Sequence, residues 1–272
     1  MEYRVYTYSE LTKGMGLGDD NLYSNGEYDS IKAFLQRGDI IFDVGANRGQ
    51  WTAIALCLVI PESIYCFEPV PVSANEAKNL HVPHSCVTVE NRVVGNQVGD
   101  HAFLWYKNSP QVAEMSNLFG RPDVEISMGI EKEQLFIPGI TIDHYCKENN
   151  IDHINFMKVD VEGAESLVIE GSSEMLEGQM IDFLQFEYGG CFINASVKLK
   201  DVVRILSENE YAVFRIVPGG LLHFDAWKDE MENYAHSNYL AVSSKKDDRF
   251  KPTKFTEVTT IEPEKELEKE NG

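Results

Sequence analysis

The chain has 272 residues, 43% of them hydrophobic and 25% charged, an ordinary globular composition that can bury a large core without disulfide or metal staples. Forty-four acidic residues against 24 basic ones leave a formal charge of -20, and no local basic patch relieves it, which argues against nucleic acid and anionic lipid as partners. The longest apolar stretch, Trp51 to Ile60, is about half the roughly 20 residues of a membrane span, and the first residues lack the apolar stretch of a secretory signal, so the expectation is a soluble, cytoplasmic protein.

Residues 1–26 mix Gly, Asp, Asn and Tyr without a sustained period and read as an irregular N-terminal extension. From Glu27 the pattern becomes regular. Tyr28, Ile31, Phe34 and Leu35 fall on one helical face that ends before Gly38. Ile40 to Val44 is an unbroken apolar strand closed by an acid and a glycine, Trp51 to Leu58 a helix, Ile64 to Phe67 a second strand, and Pro71 to Leu80 a second helix. A third strand is expected at Val87 to Val89. Residues 93–141 break the alternation and read as a small hairpin followed by a mobile loop over the strand ends.

The alternation resumes with a strand at Ile154 to Val159, a helix from Ala164 to about Leu176 and a strand at Ile181 to Phe186. Unbroken apolar strands need cover on both faces, so the expected fold is α/β, a doubly wound sheet that is mostly parallel. A helix near Val197 to Asn209 and strands at Tyr211 to Val217 and Tyr239 to Val242 would close it with an antiparallel C-terminal pair. The folded body is thus 27–244. Residues 245–272 are charged and poor in large apolar groups, and they read as a disordered tail. The five cysteines, Cys57, Cys66, Cys86, Cys146 and Cys191, are odd in number and lack a Cys-x-x-Cys pair, so reduced core residues are expected.

Three segments carry chemistry. In Asp43-Val44-Gly45-Ala46-Asn47-Arg48-Gly49, a strand ends and a helix begins across small residues, which lets a ligand approach the backbone where the first helical N–H groups are unpaired. The G-x-G-x-x-G dinucleotide pattern is absent, and Asp43 would repel a pyrophosphate while suiting an ammonium group. Glu68 ends the next strand in Phe67-Glu68-Pro69-Val70-Pro71, where an acid can accept hydrogen bonds from both ribose hydroxyls. A cationic group, a ribose and no phosphate describe S-adenosylmethionine. In Lys158-Val159-Asp160-Val161-Glu162-Gly163-Ala164-Glu165, Asp160 and Glu162 should line the same crevice. There they could deprotonate an acceptor hydroxyl or hold a hard divalent cation, whereas Glu165 reads better as a residue favouring the helix N-terminus. Glu187 ends the following strand and should face Asp160. Asp160 is the expected base. His153, just before the Asp160 strand, is the histidine with the best claim to a role, although it lacks ligand spacing.

These three motifs, in this order, resemble those of the FkbM-type S-adenosylmethionine-dependent methyltransferases over roughly residues 27–243, and Thr141-Ile142-Asp143 is similar to that family's Leu-Asp element. The resemblance implies a class I methyltransferase fold and methyl transfer to a hydroxyl on a sugar or other small hydroxylated metabolite. It implies cofactor contacts from Asp43, Gly45, Ala46, Asn47, Gly49 and Glu68, with Asn91 near the adenine. Asp160, Glu162 and Glu187 are left to manage the acceptor or a metal. Two alternatives stay open on the sequence: a nucleotide-dependent oxidoreductase or epimerase on a similar sheet, and a noncatalytic protein that kept the cofactor fold.

Overall fold

The computed structural model describes residues 4–7, 21–107, 109–223 and 227–245. Most of the expected extension and all but the first residue of the expected tail lie outside these residues. Within them the elements are strands β1 (Arg4–Thr7), β2 (Ile40–Val44), β3 (Ser63–Phe67), β4 (Val87–Glu90), β5 (Val93–Val94), β6 (Gly99–Tyr106), β7 (Lys132–Ile140), β8 (Ile154–Val159), β9 (Ile181–Tyr188), β10 (Tyr211–Val217), β11 (Gly220–His223) and β12 (Ser237–Ser243). The helices are α1 (Glu27–Phe34), α2 (Gln50–Leu58), α3 (Pro71–His81), α4 (Pro110–Glu114), α5 (Pro122–Met128), α6 (Ile142–Asn149), α7 (Glu165–Glu170), α8 (Ser173–Glu177), α9 (Cys191–Ala195) and α10 (Leu199–Glu208).

Nine strands form one sheet in the order β1-β11-β10-β12-β9-β8-β2-β3-β4. Strands β4, β3, β2, β8 and β9 are parallel, and β12 runs antiparallel between β9 and β10. The chain winds outward from β2 to β3 and β4, then returns to β8 on the other side of β2. That reversal opens a crevice at the carboxyl ends of β2 and β8. Successive side chains alternate between faces: Ile41, Phe156 and Phe183 pack with α1 and α2, while Phe42, Met157 and Leu184 pack with α6, α7 and α10. Both faces are covered, which is why these strands read as continuous apolar runs.

The structure corrects four expectations. Arg4–Thr7 is no irregular segment but an edge strand, parallel to β11. The loop expected within 93–141 is a second sheet, β5-β7-β6, with α4 and α5 in the β6–β7 connection. Its signals were local: Pro110 and Pro122 open helices, Ser109 Oγ accepts the Val112 N–H at 3.2 Å, and Gly129 closes α5 in the left-handed region. The single helix expected from Ala164 is two, broken where a side chain at Gly171 would strike the Gly95 carbonyl. Asp143 then accepts the Glu174 and Met175 N–H groups of α8 at 2.9 and 3.0 Å. Of the five cysteines, Cys66, Cys146 and Cys191 are buried, but Cys57 is exposed and Cys86 half-buried.

Candidate active site

Backbone contacts stitch the strand ends into a rim. The Gly45 and Ala46 N–H groups donate to the Phe67 carbonyl, Asp160 N–H donates to Val44, and Glu68 N–H donates to Glu90. Gly45 has φ +80° and lies so close to the Asp160 carbonyl that a Cβ would sit 1.7 Å from that oxygen, so only glycine fits the turn. Above the rim is a cleft of about 880 Å³, including its open mouth. Gly45, Asn47, Glu68, Asp160, Glu162 and Glu187 line it, and the small sheet roofs it with Val93, Val94 and Phe103.

Glu68 is buried and both its oxygens accept backbone hydrogen bonds, Oε2 from Asn47 at 2.8 Å and Oε1 from Val70 at 2.7 Å. Burial pushes its carboxyl up to about 7 against the pull of those amides. Asn91 is not in the lining. Its Nδ2 donates to the carbonyls of Glu68 and Pro69 at 2.8 and 2.9 Å, which holds the end of β3 in place. Ala46 and Gly49 also stay behind the cleft wall. Gly49 ends the turn at φ +83°, with its carbonyl 3.0 Å from His81 Nε2.

Asp43 lies beneath the turn rather than in the cleft. It is fully buried, receives the Thr52 hydroxyl at 2.7 Å and sits 3.6 Å from Lys158 Nζ. Lys158 also contacts Asp160 at 3.1 Å and donates to the Gly45 carbonyl at 3.2 Å. Burial disfavours its charge, yet Asp160, Asp43 and Glu27 together raise its pKa. Lysine is thus the counter-charge shared by the first and third motifs. Glu27 joins from α1, where it accepts from Gln185 at 2.9 Å and Asn238 at 3.2 Å.

The third motif and the end of β9 form a coupled acidic group. Burial raises Asp160, but Lys158 and a hydrogen bond with Glu187 hold its carboxyl below the usual range. Burial and the Asp160 charge push Glu187 up to about 7. Glu162, at φ +55°, is raised well above normal by burial and by Glu187, while Arg121 approaches it at 3.4 Å. Glu165 is buried outside the cleft wall, where its oxygens accept the Val161 and Gly163 amides at 2.9 and 3.0 Å. Burial followed by the Glu187 charge takes it up to about 8.

Asp160, Glu165 and Glu187 could offer oxygens within 4.8 Å of one another. Lys158 and His236 already stand against Asp160 at 3.1 Å and Glu187 at 2.8 Å, hydrogen-bonding partners that compete with a divalent cation for those oxygens. His153 pairs with Asp182 at 2.9 Å near the amino end of β8, away from the crevice. Sequence reasoning missed Lys158, Glu27, Arg121 and His236. Only Lys158, flanked by two motif acids on the same or the neighbouring strand, had a legible signal.

A mostly parallel sheet with covered faces, one reversed strand between β9 and β10, and a glycine turn facing strand-end carboxylates define a class I methyltransferase fold. The methyltransferase FkbM domain matches residues 43–215, and the chain belongs to that family. It is 29% identical over 187 residues to the hexuronic acid methyltransferase AglP of Haloferax volcanii, covering 67% of this chain and 69% of that protein. It is 25% identical over 159 residues to the 2-O-methyltransferase NoeI of Sinorhizobium fredii, covering 54% of this chain and 63% of that one. A crystal structure of methyltransferase FkbM from Methylobacillus flagellatus superposes with a TM-score of 0.48 at 15% identity, over 76% of this chain and 44% of that one. The family match disfavours the oxidoreductase alternative. Among the described residues no helix is long and apolar enough to cross a membrane.

Proposed function

We propose that the protein methylates a hydroxyl oxygen of a sugar or similar small hydroxylated metabolite, using S-adenosylmethionine. The observation that carries this reading is the pairing, in one cleft, of an amide-tethered Glu68 with the Asp160–Glu187 group on the opposite rim. The name of one relative, a hexuronic acid methyltransferase, supports a saccharide acceptor, and that of another, a 2-O-methyltransferase, supports transfer to oxygen.

The residues present suit the cofactor. Each Glu68 oxygen accepts one amide and keeps a lone pair for a ribose hydroxyl. Asn47 Oδ1 is buried without a hydrogen-bond partner, an acceptor suited to an ammonium or hydroxyl donor. Gly45, in the cleft wall with no side chain, lets a ligand approach the backbone of the turn. Asp43 and Lys158 act from below by fixing the turn.

When bound, S-adenosylmethionine would supply an electrophilic methyl carbon on a positively charged sulfur that leaves as a neutral thioether. The chain's own task is to hold the acceptor oxygen close and to remove its proton. Glu187 is the better proton acceptor near neutral pH, because Lys158 holds Asp160 too acidic to keep a proton. Asp160 and Glu162 then orient the acceptor. Five carboxylates line the cleft against Arg92, which favours an uncharged hydroxylated acceptor over a phosphorylated one.

Calorimetric titration with S-adenosylhomocysteine, followed by mass spectrometry of a saccharide panel incubated with S-adenosylmethionine, tests the proposal. Saturable binding and the gain of one methyl group on a panel sugar are expected. Absence of binding would reject the cofactor, and binding without turnover on any hydroxylated compound would favour the noncatalytic alternative.

A further inference from the structure

Strand β12 pairs with β9 so that Ser237 lies opposite Tyr188 and Asn238 opposite Glu187. His236, the residue just before the paired stretch, therefore comes alongside the end of β9 where Glu187 meets the cleft. Its Nδ1 is 2.8 Å from Glu187 Oε1.

The segment that carries this imidazole is tied down at several points. Tyr188 OH donates to Glu232 at 3.0 Å and accepts the Tyr234 N–H at 2.8 Å. Glu232 in turn accepts the Leu199 and Lys200 N–H groups at the start of α10, at 3.0 and 3.2 Å. Ala235 N–H donates to Asn233 at 2.9 Å, and Ser237 Oγ donates to the Ala235 carbonyl at 2.9 Å. A ring held on such a scaffold gives up little orientational freedom when it grips a carboxylate.

We propose that His236 is a positioning residue for methyl transfer: its Nδ1–H fixes the Glu187 carboxylate toward the cleft and keeps it ionised to receive the proton of the acceptor hydroxyl. This rests on Glu187 being the base. In the step, the acceptor O–H bond breaks and its proton passes to Glu187, the oxygen pair forms the new bond to the methyl carbon as the carbon–sulfur bond breaks with its pair left on the neutral thioether, and Glu187 returns the proton to solvent.

The other groups around Glu187 mostly oppose ionisation. Asp160 follows β8, Glu162 and Glu165 lie in the following turn and α7, and the Cys191 thiol at the start of α9, pushed up by burial, stays neutral. Lys158 acts on the pair through Asp160, Glu27 faces Lys158 and Asp160 from α1, and Arg121 offsets Glu162 from the β6–β7 connection. The His236 hydrogen bond works against the acids. Removing it leaves the proton on Glu187 to higher pH.

The test follows the Glu187 carboxyl carbon by NMR against pH in the full chain saturated with S-adenosylhomocysteine, in wild type, His236→Leu and His236→Asn. An asparagine Nδ2–H reaches the place of the histidine Nδ1–H. The Leu variant should titrate about one unit higher and the Asn variant close to wild type, with S-adenosylhomocysteine affinity unchanged within about threefold in both. An unmoved midpoint in the Leu variant overturns the proposal, and so does an Asn variant shifted as far as Leu. Turnover on methyl glycosides of glucose, mannose and glucuronic acid adds a second reading. His236→Leu should lower kcat roughly ten- to a hundredfold at neutral pH with little change in acceptor KM, and its acid limb should move up in pH. Full kcat in Glu187→Gln would overturn the base assignment, whereas a slow Glu187→Gln beside a wild-type His236→Leu would overturn the role of His236 alone. The NMR midpoints decide the proposal whether or not a panel sugar turns over.

Discussion

Asn47 donates its backbone N–H to the Glu68 carboxylate at 2.8 Å, across 21 residues of sequence, and so ties the turn after β2 to the tip of β3. The carboxylate is thereby aimed before any ligand arrives, and two of its lone pairs remain available. Glu68→Ala should weaken S-adenosylhomocysteine binding by about 1–3 kcal/mol, the order of a charge-assisted hydrogen bond. Calorimetry measures it, and an unchanged affinity would remove Glu68 from the cofactor site.

Lys158 is the buried cation between Asp43 and Asp160. Lys158→Met leaves the fully buried Asp43 without its counter-charge, an uncompensated burial that should cost about 3–5 kcal/mol. Denaturant unfolding reads the loss. Adding Asp43→Asn should recover part of it, and strictly additive losses would mean that the two side chains are not coupled.

Glu68 and Glu187 both hold their protons up to about 7 in the fold, whereas an unfolded glutamate releases its proton near 4.5. Between those values the unfolded state binds fewer protons, so their stabilisation is complete below pH 4.5 and is lost as pH rises towards 7. The ligand-free Tm should therefore fall across that window, and Glu68→Gln should flatten the slope. A Tm that rises throughout the window would contradict the shifts.

Glu165 accepts two amides from the turn that carries Asp160 and Glu162. Glu165→Gln keeps one acceptor oxygen and turns an N–H₂ towards the other amide, so a loss of about 1–3 kcal/mol in stability is expected. Because Glu165 lies behind the cleft wall, S-adenosylhomocysteine affinity should hold. Full stability with lost affinity would give this residue a ligand role instead.

Much of the site was legible because its signals are local. An apolar run closed by Asp43 and Gly45, or by Glu68 and Pro69, marks a strand end whatever surrounds it, and strand ends of a parallel sheet face the ligand side. Which way each acid points was not legible. Asp43 and Glu68 look alike in sequence, yet Asp43 turns into the core towards Thr52 and Lys158, and Glu68 turns into the cleft.

From its sequence alone, this protein was determined to be an alternating strand–helix chain with three acidic, glycine-bearing turns at strand ends, since side-chain periodicity and backbone permissiveness act over a few residues. Tertiary structure alone decided that residues 93–140 form a second sheet over the cleft, that Lys158 bridges two motifs, and that β12 inserts beside β9 to set His236 on Glu187. Those relationships depend on strand order and register between distant segments, which packing of the whole core selects and no local pattern records.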